Sequence, residues 1–226
     1  MYYDLLNFIA TLVSVIASFM FVIFLIYDYH SNEKINKVYW IIGFSFFTIA
    51  SLCDLIFFFF INYELYVVYL ASVTLLVTFL SIGELYFLNL KKNYRIFIIY
   101  YLYAFSIITL VSVFFYSMPS NILVSHIFNS ASLPSMLIVL PMFVTLPGTA
   151  ILVIGPLYHV FKKRALAIPQ LMISIGFFIV AVSTGVTIIN IQYIFSIGIV
   201  IGLGMVFWGA IKSNNKIKYL GDNQIA

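Results

Sequence analysis

Two carboxylic acids, Asp54 and Glu84, lie deep inside apolar runs of this sequence, at 41–61 and 66–90. A carboxyl in hydrocarbon is costly, so an acid in that setting is read first as a functional group. Between them, Thr74, Thr78, Ser81 and Glu84 recur at helical spacing and share one face of a helix. A polar stripe joining two embedded acids is what a proton or cation path needs. Glu84 lies about 10 Å inside the basic end of its run, and Asp54, in the run before, is on the order of 15 Å away along the membrane normal. The two acids therefore cannot act as one catalytic dyad. A hairpin at Lys92-Asn93 sets Tyr100, Tyr101 and Tyr103 level with Glu84, where a phenol could donate to the carboxylate or a protonated Glu84 could donate outward. A hairpin at Asn62-Tyr63 sets Asp54 opposite Ser72 and Thr74. A shorter stripe follows later, Thr184, Thr187 and Asn190. The structural alternative is that the hydroxyls bond back to their own helix and each acid is a clasp.

The other chemical groups are sparse. His30 and His159 end two apolar runs at one boundary and could hold a haem b between helices, or a metal with Glu33. Histidines beside basic runs are more often solvated, so no cofactor is expected. His126 stands apart, in a connection. Cys53 is the single cysteine and has no internal disulfide partner. The final apolar run lacks the lysine that a retinal Schiff base requires. No Ser–His pair shares a depth for an intramembrane serine protease, and no H-E-x-x-H zinc motif occurs. Pro169-Gln170 resembles the PQ dipeptide of seven-helix sugar transporters, although the first four runs hold none of the prolines that family places in both halves.

These groups must be positioned by membrane helices. Of 226 residues, 64% are hydrophobic and 8% charged, against about a quarter charged in a soluble domain. At about 20 residues per crossing, the chain has room for about seven helices and no sizeable soluble domain. The expected class is all-α: one polytopic seven-transmembrane-helix bundle with helices near 5–27, 38–60, 66–90, 96–117, 134–160, 168–189 and 192–211. The first run has an acidic start and is too long for a signal h-region, so it reads as a retained helix. With seven crossings, all 11 basic residues fall on one side: Lys34, Lys37, Lys91, Lys92, Arg95, Lys162, Lys163, Arg164, Lys212, Lys216 and Lys218. The positive-inside rule then places the N-terminus outside and the C-terminus in the cytoplasm of a cell-membrane protein. That basic face suits anionic lipid headgroups, and no patterned patch for nucleic acid is present. Trp40 and Trp208 mark the same boundary.

Helix five is expected to be irregular, with Pro134, Pro141, Pro147 and Pro156 in or beside it. The connection 118–132 before it is uncharged and expected on the membrane surface. Gly198 and Gly202 allow close packing of helix seven against another helix, in this chain or in a partner. From these features the leading expectation is a non-catalytic membrane-embedded subunit of a larger complex, bound to other membrane subunits. A small transporter or proton/ion conductor using Asp54 and Glu84 comes next, then a seven-helix sensor. An enzyme is not expected, since no nucleophile–base or metal constellation assembles.

Overall fold

In hydrocarbon every backbone N–H and C=O must be satisfied within the chain, so long apolar runs close their own bonds as helices. The structure, a computed structural model, describes residues 2–31, 33–60, 62–88, 90–115, 135–162, 167–186 and 192–222. Among the described residues it is all-helical, with seven helices. These are α1 (Tyr2–Ser31), α2 (Ile35–Phe57), α3 (Tyr63–Phe87), α4 (Lys92–Phe115), α5 (Ser135–Lys162), α6 (Ala167–Val186) and α7 (Gln192–Asp222). The first six are long and apolar enough to cross a membrane, and α7 contains a shorter apolar stretch, Ile197–Ser213. The segment 118–132, His126, Lys163, Arg164, Thr187 and Asn190 lie outside the described residues.

Several ends move from where hydropathy alone places them. Phe58–Phe60 are as apolar as the helix before them, yet they form the turn that ends α2, with main-chain bonds back to Leu55 and Ile56. Phe58 and Phe59 set their rings edge-on against Phe8 of α1. The Asn62 side chain then accepts from the Glu64 amide and caps α3, a side-chain start signal that hydropathy does not see. At the other end of the chain, α7 continues beyond its apolar stretch to Asp222.

Helices consecutive in sequence run in alternating directions. Thr48 donates to Ser18 and Lys37 reaches Asp28, so residue numbers fall on α1 as they rise on α2. Gly43 meets Leu80 and Gly83 meets Trp40 across α2 and α3; Ser174 donates to the Val153 carbonyl across α5 and α6. This alternation brings the described basic residues to one end, called the basic end below. Six helices close a ring in the order α1, α2, α3, α5, α6, α7, and α4 packs outside it against α3 and α5. The ring interior is filled by Phe21, Phe44, Phe47, Leu80, Phe177 and Val206 with their neighbours. A second core, Ile82, Leu85, Leu102 and Val144, joins α3, α4 and α5. The outer surface carries large apolar side chains such as Phe115, Ile154 and Phe161.

Helix α5 is continuous through Pro141, Pro147 and Pro156. Pro147 has no N–H to give the Phe143 carbonyl one turn earlier. The Tyr101 hydroxyl of α4 donates to that carbonyl instead, at 3.0 Å. A side chain from one helix thus completes the main chain of the next.

The glycines of α7 face its neighbour in the same chain. A Cβ on Gly202 would lie 2.7 Å from the Gly176 carbonyl oxygen of α6, and one on Gly198 would strike Ser183. Gly204 opens onto no atom within 4 Å. Gly202→Leu should therefore cost about 1–3 kcal/mol by overpacking, while Gly204→Leu should stay within about 0.5 kcal/mol, as read from thermal unfolding in detergent. Tyr101→Phe should cost about 1 kcal/mol; in a Pro147→Ala background, where the amide returns, the same change should cost much less.

Candidate functional site

Each helix of the ring has an inward stripe, and the stripes of five helices end at one level near the basic end. On α1 the buried residues are Ser14, Ser18, Phe21, Leu25 and Asp28, at alternating steps of four and three. On α2 the inward face runs through Phe47, Phe44 and Trp40 to Lys37. The α3 face ends at Glu84 and Phe87; α6 begins with Gln170 and Ile173, and α7 closes the set with Ala210 and Ser213. The basic-end members of these stripes, from Leu25 on α1 and from Trp40 on α2, line with Asn36 a cavity of about 90 Å³, room for a few waters or a small polar solute.

The polar groups in its wall differ in how they are satisfied. Lys37 Nζ lies 2.6 Å from Asp28 Oδ2, with both side chains about nine-tenths buried, and it also donates to the Asp28 main-chain oxygen at 3.0 Å. Gln170 Nε2 donates to Ser213 Oγ at 3.2 Å. Glu84 is 2% exposed, and its Oε1 has no hydrogen-bond partner. The Trp40 indole N–H is likewise buried and unpartnered. Since Asp28 and Lys37 neutralise one another, the Glu84 carboxyl is the one acid of this wall without a charge partner.

Two glycines hold Glu84 and Trp40 where they are. A Cβ on Gly155 of α5 would lie 2.7 Å from Glu84 Oε1, and one on Gly83 would lie 2.3 Å from Trp40 Cδ1. The indole thus lies directly on the α3 backbone, beside Glu84 in sequence. Its ring also packs against Phe44 and Phe177.

The residues singled out from the sequence divide into those that meet here and those that do not. Glu84 is in the wall. Thr74, Thr78 and Ser81 are buried, but each donates to a carbonyl one turn back on its own helix. Thr78 also contacts Ser106 of α4 at 2.6 Å. Ser106 has its own main-chain acceptor, so two protons serve three contacts there. Asp54 is half-buried beside Cys53, close enough to Tyr69 of α3 to interact electrostatically.

None of the three expected tyrosines reaches Glu84, and the Tyr101 hydroxyl is spent on the Phe143 carbonyl. Tyr100 is 71% exposed on the outer face. The Tyr103 hydroxyl bonds to Tyr39, which also bonds to Tyr86. His30 is exposed at the end of α1, whereas His159 is buried edge-on against Phe87, ring centroids 4.4 Å apart. The two rings therefore do not face a shared space for a haem. Among the described residues no group of three His, Cys, Asp or Glu gathers as a metal site. Thr184 is exposed and donates to its own helix.

Sequence reasoning missed Asp28, Asn36, Lys37, Trp40, Gln170 and Ser213. Charges at the ends of apolar runs were assigned to the interface, but the α1 stripe, read to its end, points Asp28 inward. No protein-family model, curated protein or solved structure matches this chain, and the reading of the cavity rests on its geometry.

Removing one partner of a buried ion pair strands the other charge. Lys37→Met should cost about 3 kcal/mol of stability, and adding Asp28→Leu should recover most of it; a double-mutant cycle on detergent melting curves measures the coupling.

Proposed function

We propose that this chain is a small carrier of the cell membrane, moving a polar or cationic solute, or protons, through the cavity at its basic end. In this reading all seven helices cross the bilayer, with the N-terminus outside and the C-terminus in the cytoplasm. The gathering of basic residues at one end supports that orientation, and the basic end then meets anionic lipid. The observation that carries the reading is the Glu84 carboxyl, buried and with an unpartnered oxygen, in a cavity walled by five helices.

The surroundings suit a carrier. Above the cavity the ring is plugged by aromatic rings, Phe21 at 4.4 Å from Phe44 and 4.8 Å from Phe207. A solute held at Glu84 faces the basic end and is shut off from the other. Release to the far side requires the helices to shift, as in alternating access. Outside the cavity wall Glu84 packs against Gly155 of α5, whose prolines lower the number of main-chain bonds resisting a bend.

The reading as a subunit of a larger complex loses one of its supports, since Gly198 and Gly202 are used within the chain against α6. A sensor would use the same cavity, binding a ligand without passing it. In sealed vesicles containing the purified protein, Glu84→Gln should reduce proton or monovalent-cation flux at least tenfold while the melting curve stays cooperative. Wild-type flux in that variant would take Glu84 off the path and end the carrier reading.

A further inference from the structure

We propose that Arg95 seats the phosphate of an anionic phospholipid on the flank where α4 stands outside the ring, with one acyl chain lying along rings of α2 and α3. The inference rests on the chain spanning a bilayer and is independent of what the cavity carries. The partner of the head group comes first. The Arg95 guanidinium lies over the Tyr86 ring, its Cζ 4.7 Å from the ring centroid. That ring steadies the charge. Among the described residues no carboxylate pairs with Arg95 and no acceptor takes its side-chain N–H groups. A planar fork of donors fits two phosphate oxygens at once. The Arg95 amide donates to the Lys91 carbonyl, so Lys91, Lys92 and Arg95 share one turn, and both lysines are exposed. Three cations on one turn select a net negative head group over a zwitterionic one.

The seat is built by three helices. Tyr39 of α2 bonds to the Tyr86 hydroxyl and to Tyr103 of α4, so the ring beneath Arg95 is fixed from its neighbours. Stacked rings continue from it, alternating between α3 and α2. Tyr39 lies 5.4 Å from Tyr86, Phe79 lies 6.2 Å from Tyr39, and Phe46 lies 5.8 Å from Phe79. Phe46 follows Tyr39, and Tyr86 follows Phe79, by seven residues. The ladder therefore descends two turns, about 10 Å, from the basic end toward the bilayer centre. With a hydrocarbon core about 30 Å thick, that is about two-thirds of one leaflet. All four rings are half-buried, which leaves apolar edges for an acyl chain. Charge at the surface with hydrocarbon contact beneath it matches a phospholipid, whereas a free phosphate has nothing to lay on the lower rings.

Native mass spectrometry of the full-length protein in mild detergent, with lipid titrated in, tests this. Dioleoylphosphatidylglycerol should bind at least tenfold more tightly than dioleoylphosphatidylcholine. Arg95→Gln should remove that preference while the melting curve stays cooperative. Arg95→Lys, which keeps the charge and loses the fork, should retain less than half of it. Lys34→Gln, at an exposed lysine of the same end, should leave it unchanged, and millimolar glycerol 3-phosphate, a head group without chains, should not displace the lipid. Equal binding of the two lipids, or full preference in a folded Arg95→Gln protein, would overturn the proposal. So would an equal loss in Lys34→Gln, which is the signature of attraction to the basic face as a whole. Displacement by glycerol 3-phosphate would overturn the lipid assignment in favour of a soluble phosphate. Should Arg95→Gln not fold, full preference in Arg95→Lys overturns the seat in its place.

Discussion

The contact between Lys37 and Asp28 sets much of what lies around it. It closes the α1–α2 hairpin at the basic end with one ion pair and one bond to main chain. That closure fixes the register of α2, and one turn further in it places Trp40. The indole then lies on Gly83, which sets α3 at a height where the next residue, Glu84, reaches the ring interior. Without the pair, two charges would face low-dielectric surroundings separately, at several kcal/mol each. The same pair leaves Glu84 electrostatically alone, because the nearest cation in the wall is already used.

Polar groups inside this bundle follow two different rules. The hydroxyls of Thr74, Thr78, Ser81, Ser106 and Thr109 all return to their own helices, satisfied within one turn and indifferent to what packs beside them. Side chains with more than one polar atom do not have that recourse. The carboxyl of Glu84 and the amide of Gln170 must find partners on other helices or in a bound molecule. The cavity forms where these larger groups collect, at the one level where five stripes end together.

Much of the helical frame was legible in the sequence. Hydrocarbon forces long apolar runs into helices, and alternation of direction then gathers Lys34, Lys91, Arg95 and Lys212 at one end. The ends were less legible. Phe58–Phe60 are equally apolar in a helix or a turn, so hydropathy runs α2 on to residue 60, past its end at Phe57. Tyr100 and Tyr103 were at the right depth, but depth does not specify azimuth, and both point away from Glu84. Asp28 and Lys37 stand at the ends of apolar runs, a position that reads as interface and hides the inward stripe that carries Asp28. The stripe from Thr74 to Glu84 was found correctly as a face; that its hydroxyls are satisfied locally is a matter of rotamer, which spacing does not encode.

The bond from Tyr101 to the Phe143 carbonyl also bears on how the chain is built. A membrane protein emerges from the ribosome in order, so α4 is already in place when α5 arrives. On its own, α5 would enter the bilayer with a carbonyl left open by Pro147, at a penalty of several kcal/mol. With α4 waiting alongside, the phenol takes up that oxygen as it arrives. The helix outside the ring thus completes the main chain of the most proline-rich helix inside it, and the two are best regarded as one structural unit.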